Sequence, residues 1–181
     1  MRTLLAVCLL ALSPALTAAE RVVSLAPSMS EIMLELGAES RLVGLLDGGP
    51  RPPALAGVPS VGRYGQVELE TLLALKPDLL LLWPGSVPEA QQAQLRAFGI
   101  PLYVGEPHDL QALAEQFAEV GRLVGAEARG RELRERFITR LADLRQRYRR
   151  EPPLTVFYQV WNEPLYTLGG RQVVSDALRV C

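Results

Sequence analysis

The stretch Leu75-Lys76-Pro77-Asp78-Leu79-Leu80-Leu81-Leu82-Trp83-Pro84-Gly85 decides the fold class of this chain. A helical pattern runs into its first residues, Pro77 ends that helix, and five consecutive apolar residues follow before the Pro-Gly turn. A continuous apolar run without alternation is typical of a strand buried on both faces of a parallel sheet. Trp83 stands at the carboxyl end of this strand, and open parallel sheets bind ligands at that edge. The stretch therefore predicts an α/β fold and the edge of the sheet that carries function.

The same alternation of strand and helix patterns continues on both sides of this stretch. Helices are expected to start at Pro27 and to span 67–75 and 88–98, and apolar runs predict strands at 21–26, 42–46, 58–62 and 100–104. Ser28 and Glu31 have the spacing of a capping box at the start of the first helix, and Gly37 is expected to end it. Such alternation indicates a right-handed parallel α/β sheet.

The second half of the chain has a different pattern. Apolar residues share one helical face over 110–124, and a longer amphipathic helix is predicted over 126–150, where Pro152-Pro153 ends it. A strand at 155–161 and a helix at 173–180 then begin a second α/β unit, which is too small to bury a core of its own. The predicted organisation is an N-terminal lobe over 20–125, a connecting helix over 126–151, and an incomplete C-terminal lobe over 152–181.

Residues 1–19 have the pattern of a secretory signal peptide. Met1-Arg2 is a short basic start, an apolar stretch follows over 4–12, and Thr17-Ala18-Ala19 provides small residues for cleavage. The apolar stretch is too short to span a bilayer. Cys8 lies inside it, which argues against a lipoprotein signal. We therefore expect an exported, soluble protein of the periplasm.

Composition and charge exclude some partners. The formal net charge is −1, and the Arg-rich stretch at 129–150 is interleaved with Glu and Asp at helical spacing. That spacing is typical of a solvated helix face and argues against nucleic-acid binding. Cys181 is the cysteine left once the signal peptide is removed. Its thiol is either free or paired with a cysteine outside this sequence.

The sequence lacks the residue patterns that indicate an enzyme. A periplasmic hydrolase or metal-handling enzyme needs a nucleophile beside a base, or a cluster of metal ligands. His108 is the single histidine, and Ser28 lacks a surrounding Gly-x-Ser-x-Gly. Asp47, Glu106 and Asp109 are interpreted as solvated turn residues. The sequence therefore assigns no catalytic residue and no metal ligand, and it favours a binding protein.

Several motifs together resemble a known family, the substrate-binding proteins of ABC importers for cobalamin, iron–siderophore complexes and haem. These motifs are Val-Ser-Leu-Ala-Pro-Ser at 23–28, Leu-Val-Gly at 42–44, Leu-Glu at 69–70, Leu-Lys-Pro-Asp-Leu at 75–79 and Val-Phe-Tyr-Gln-Val-Trp at 156–161. The resemblance implies two α/β lobes joined by one long rigid helix, with the ligand held between them. The helix at 126–151 would be that connection, and most of the second lobe would be missing from this sequence.

The resemblance also implies a ligand and three residues that bind it. Tyr64, Trp83 and Tyr166 correspond to aromatic positions that contact the corrin ring in the cobalamin-binding members. Flat aromatic side chains suit a corrin, which is a broad apolar plate with a fringe of amides. The family has another aromatic residue in the loop at 47–53, where this sequence has Asp47-Gly48-Gly49. Cobalamin is the expected ligand, and Arg63 beside Tyr64 keeps a ferric siderophore or haem open as the alternative.

Partners follow from the same resemblance. Glu70 corresponds to the acidic residue that family members pair with arginines of the membrane permease. Cys181 would form a disulfide with a cysteine near the end of the missing lobe. The expected protein is a monomer that binds a corrinoid reversibly, performs no catalysis and delivers its ligand to the importer.

Overall fold

The computed structural model describes residues 18–180. Cys181 and nearly all of the predicted signal peptide therefore lie outside the described residues. Ala19 is already part of the folded chain, because it is buried and its N–H donates to the carbonyl oxygen of Leu123 at 2.8 Å. Within 18–180, no helix is both long enough and apolar enough to cross a membrane.

A six-stranded sheet forms the centre of the fold. Its strands are β1 Val22–Ser24, β2 Leu42–Asp47, β3 Ser60–Arg63, β4 Gln66–Val67, β5 Leu79–Leu82 and β6 Leu102–Val104. They lie in the order β4-β3-β2-β1-β5-β6, and the sheet is parallel except for the short β4, which pairs antiparallel with β3. The predicted α/β class and parallel sheet are confirmed.

Strand β5 is an unbroken apolar run because both of its faces are buried. Leu79 and Leu81 face one hydrophobic cluster, whereas Leu80 and Leu82 face a second cluster on the other side of the sheet. All four side chains are buried. Because successive side chains of a strand point to opposite faces, helices must cover both sides of the sheet.

Within residues 18–180, six helices accompany the strands, and helices lie on both faces of the sheet. Met33 of the first helix and Val120 of the fourth lie in one cluster, and Leu72 of the second and Leu95 of the third lie in the other. The helices are α1 Pro27–Glu35, α2 Leu69–Ala74, α3 Glu89–Ala97, α4 Leu110–Leu123, α5 Glu127–Tyr148 and α6 Val173–Val180, and 3₁₀ turns occur at Glu39–Arg41 and Pro53–Leu55.

The Lys-Pro-Asp turn before β5 is tied to the start of β1. The carboxylate of Asp78 accepts hydrogen bonds from the backbone N–H groups of Glu20 and Arg21, both at 2.9 Å. In return, Arg21 Nε donates to the carbonyl oxygen of Leu75 at 2.9 Å. These contacts align β1 with β5, so that Val22 pairs with Leu79.

The capping box predicted for α1 is wrong. The N-cap residue is Ala26, and no side chain caps the helix. Pro27 occupies the first helical position, which places Ser28 one residue inside the helix, where its hydroxyl no longer meets the free N–H groups. The predicted stop is confirmed: Gly37 has a φ of +66° and Ala38 N–H donates to the carbonyl oxygen of Met33.

The long helix α5 packs against α4. Gly121 and Gly130 lie at this contact, where a Cβ on Gly121 would come within 2.9 Å of the Gly130 Cα. The observed span, Glu127–Tyr148, agrees with the helix predicted over 126–150. Its role as a connection between two lobes stays a prediction.

The strand predicted at 155–161 is only partly correct. Strand β7 begins later, at Gln159–Asn162, and forms an antiparallel hairpin with β8, Leu165–Thr167. Residues 154–158 pair with no strand in the described part of the chain, so their apolar pattern does not produce a ladder. Phe157 and Trp161 are 64% and 61% exposed.

Candidate ligand-binding cleft

Trp83 is held at the carboxyl edge of the sheet by a tight turn. Ser86 donates to the Trp83 carbonyl oxygen twice, from its N–H at 3.0 Å and from its Oγ at 2.7 Å. Pro84 and Gly85 are the central residues, and Gly85 has the positive φ, +86°, that a type II turn requires. Because the backbone is fixed in this way, the indole stands at the surface and is 44% exposed.

A cleft of about 610 Å³ opens beside Trp83. It lies between α1, the loop after β6, one face of α4 and the start of α6. Apolar and polar side chains both line it, among them Ile32, Trp83, Leu113, Gln116, Phe117 and Val173. Its size and mixed lining are typical of a small-molecule site.

The polar side chains that line this cleft are acidic or neutral. Glu31 and Glu35 contribute carboxylates, and Gln116 and Gln172 contribute amides. None of the described residues that line it is Lys, Arg or His. An anionic group placed here would face like charges, with no cation among the described lining residues to compensate, whereas a neutral amide would find hydrogen-bonding partners.

The three aromatic residues predicted from the sequence are not all in this cleft. Tyr64 is 59% exposed, and its hydroxyl lies 3.6 Å from the position that a Cβ would take on Gly85, so it stands beside the turn that follows Trp83. Tyr166 belongs to β8, is 58% exposed and is not among the residues that line the cleft. Of the three predicted residues, Trp83 therefore lines the cleft, whereas Tyr64 and Tyr166 are not among its lining residues. Their joint role in ligand binding stays a prediction.

The loop after β2, where the family was expected to supply an aromatic residue, is built on ion pairing. Asp47 accepts hydrogen bonds from Ser60 Oγ at 2.6 Å and from Arg51 Nε at 3.0 Å, and Arg51 Nη1 donates to the Val58 carbonyl oxygen. The Ser60 hydroxyl, followed by the Arg51 guanidinium, lowers the pKa of Asp47 below its usual 3.8. Asp47 thus fixes the loop, which the interpretation as a solvated turn residue did not anticipate.

A second groove, of about 930 Å³, meets the cleft at Gln172. His108, Arg171 and Arg179 line it, so it is more basic than the cleft. Asp109 also lines it, but its carboxylate accepts from the Ala112 N–H at 2.7 Å and caps α4. Across residues 18–180, no three His, Cys, Asp or Glu side chains come together as a metal-binding group.

Glu70 lies in the first turn of α2 and is exposed. It is not among the residues that line the cleft. Its place on the surface leaves it accessible to a partner protein, and its pairing with a permease stays a prediction.

Comparison with known sequences identifies the family. The sequence pattern of the periplasmic binding proteins matches residues 22–180. The chain belongs to this family. The fold and the family are those of periplasmic solute-binding proteins, which are not enzymes.

Relatives within the periplasmic binding protein family bind more than one ligand. The vitamin B12-binding protein of Yersinia pestis is 32% identical over 164 residues, which are 91% of this chain and 59% of that protein. The periplasmic vitamin B12-binding protein BtuF of Vibrio cholerae has a TM-score of 0.80 and 30% identity, covering 90% of this chain and 64% of that one. The periplasmic haem-binding protein RhuT of Roseiflexus has a TM-score of 0.73 and 26% identity over 90% of this chain and 64% of that one.

The chain therefore spans about 59% of the length of the curated relatives it matches. Its six-stranded sheet and flanking helices correspond to part of a two-lobed binding protein.

Sequence reasoning missed Gln116. This residue is 5% exposed and lies in α4 three residues after Leu113 and next to Phe117. A signal was present, since a polar residue on the apolar face of an amphipathic helix is unusual. The cleft therefore carries a polar group that a search for aromatic residues alone does not find.

Proposed function

We propose that this protein captures a corrinoid, cobalamin, in the periplasm and delivers it to an ABC importer. The lining of the cleft carries the proposal. An exposed indole stands beside carboxylates and amides, and no basic side chain is among the described lining residues. A corrinoid matches this lining, because its plate is apolar and its fringe consists of neutral amides that donate hydrogen bonds.

The relatives support the same ligand. Vitamin B12-binding proteins of Yersinia and Vibrio are similar to this chain across at least 90% of its length. The N-terminal pattern at 1–19 supports export, and the exposed Glu70 supports docking to the permease.

Haem or a ferric chelate is the second candidate. Haem carries carboxylates, and the groove that adjoins the cleft offers His108, Arg171 and Arg179 to meet them. A haem-binding protein also shares the fold at 26% identity. The cleft beside Trp83 argues against this ligand, because its charged lining residues are Glu31 and Glu35.

The proposal is tested by loading the full-length protein with cyanocobalamin, separating it from free ligand, and releasing the ligand by unfolding. We expect one corrinoid bound per protein, and we expect the released corrinoid to be chemically unchanged. A modified corrinoid would reveal an enzyme, and no retained corrinoid would refute the proposed ligand.

A further inference from the structure

Gln116 is a polar side chain held in an apolar setting. Its Nε2 donates to the Sδ of Met29 at 3.5 Å, and a thioether is a weak acceptor. The carboxamide has two donor hydrogens and one acceptor oxygen, so this single contact leaves most of its hydrogen-bonding capacity unused. Burying such a group costs free energy unless another partner binds it.

The geometry around Gln116 separates the two ends of its amide. A Cβ on Gly105 would come within 1.9 Å of Gln116 Nε2 and 2.3 Å of Met29 Cε. The nitrogen end is therefore packed between the loop after β6 and Met29, and a side chain at position 105 would displace it.

The oxygen end of the amide, Gln116 Oε1, has no hydrogen-bond partner among the described residues, 18–180. In that part of the chain, Gln91 Oε1 is the side-chain oxygen that is both fully enclosed and without a partner, and Gln116 Oε1 is not. Gln116 Oε1 is consequently still accessible, and the opening that Gln116 lines is the cleft beside Trp83.

We propose that Gln116 is a specificity-determining residue whose Oε1 accepts a hydrogen bond from a primary amide at the edge of the bound ligand. The inference rests on the proposed function and goes further by naming the group of the ligand that is recognised. Glu31 and Glu35 line the same cleft, so an N–H donor is attracted there and a carboxylate is repelled. Gln116 would thereby select a ligand with an amide fringe over one with a carboxylate fringe.

The test combines one substitution with one change of ligand. Gln116→Leu has a similar volume and no polar group. Gln111→Leu is the matched control, because Gln111 lies on the same helix, is exposed, and bonds only to Glu115 in the described residues. Affinity is measured by titration calorimetry for cyanocobalamin and for a corrinoid whose peripheral amides are methyl esters, which cannot donate.

We expect Gln116→Leu to weaken cyanocobalamin binding roughly fivefold to tenfold, the worth of one buried hydrogen bond. Its effect on the ester corrinoid should stay within about twofold, and Gln111→Leu should change neither affinity. Should the Leu variant fold poorly, Gln116→Met carries the same comparison with a more adaptable side chain.

The outcomes separate the inference from the proposed function. Equal weakening for both corrinoids would mean that Gln116 only supports packing, and unchanged affinity for both would mean that it makes no ligand contact; either result overturns the inference while cobalamin binding stands. If the unsubstituted protein binds no cyanocobalamin, the proposed function fails and the inference falls with it.

Discussion

Replacing Trp83 with Ala should weaken corrinoid binding without unfolding the protein. The indole is 44% exposed, which leaves about 110 Å² of a side chain of roughly 250 Å² for a ligand to cover. At about 25 cal/mol per Å², complete coverage is worth roughly 2.7 kcal/mol. Allowing for partial coverage and relaxation, we expect a loss of about 1–3 kcal/mol, which is roughly a 5- to 150-fold rise in Kd.

The assay for Trp83→Ala is titration calorimetry with cyanocobalamin, with far-UV circular dichroism to verify folding. Phe98→Ala is the matched control. Phe98 is 59% exposed, but it follows α3 just before β6 and so stands at the opposite edge of the sheet. Its removal should leave the affinity unchanged. A folded Trp83→Ala protein that binds cyanocobalamin as tightly as the unsubstituted protein would exclude Trp83 from the site.

Three further predictions concern docking and stability. Glu70→Ala should leave ligand affinity intact and slow uptake through the permease, because the residue is exposed outside the cleft; lost ligand binding with normal permease association would reverse that assignment. Asp78→Ala should lower the free energy of unfolding in urea by about 1–2 kcal/mol, since two hydrogen bonds to the start of β1 are lost; an unchanged midpoint would contradict this. Asp47→Asn should lower the melting temperature near neutral pH. Because the folded pKa of Asp47 is lowered from 3.8, its contribution is present above that value and is lost as pH falls through the folded pKa. The difference between the two proteins should therefore shrink in acid, and a difference independent of pH would exclude the ionised carboxylate as its cause.

Patterns that depend on neighbouring residues predicted the fold well. The unbroken run at Leu79–Leu82 is buried on both faces because the sheet is parallel and covered on both sides. Gly37 ends α1 as expected, since a positive φ is a local requirement that glycine meets at low cost. Such features are encoded within a few residues of one another.

Features that depend on distant partners were harder to predict. The hydrogen bond from Ser60 to Asp47 joins residues thirteen positions apart and exists only once β2 and β3 are side by side. Likewise, the environment of the Gln116 amide is formed only when α4, Met29 and the loop at Gly105 pack together. The strand predicted at 155–161 was only partly correct for the same reason. A strand forms by pairing with a neighbouring strand, and an apolar sequence pattern does not indicate which strand that is.

Cobalamin binding is tested most directly by a competition titration on the full-length protein. Cyanocobalamin and haem are titrated separately and then each against the complex of the other, with absorbance and heat recorded together. We predict one cyanocobalamin bound per protein, with an affinity that excess haem reduces only weakly, because no basic side chain is among the described residues that line the cleft beside Trp83. Tight haem binding that cyanocobalamin fails to displace would contradict the assignment of a corrinoid and move it to the haem-binding branch of the family.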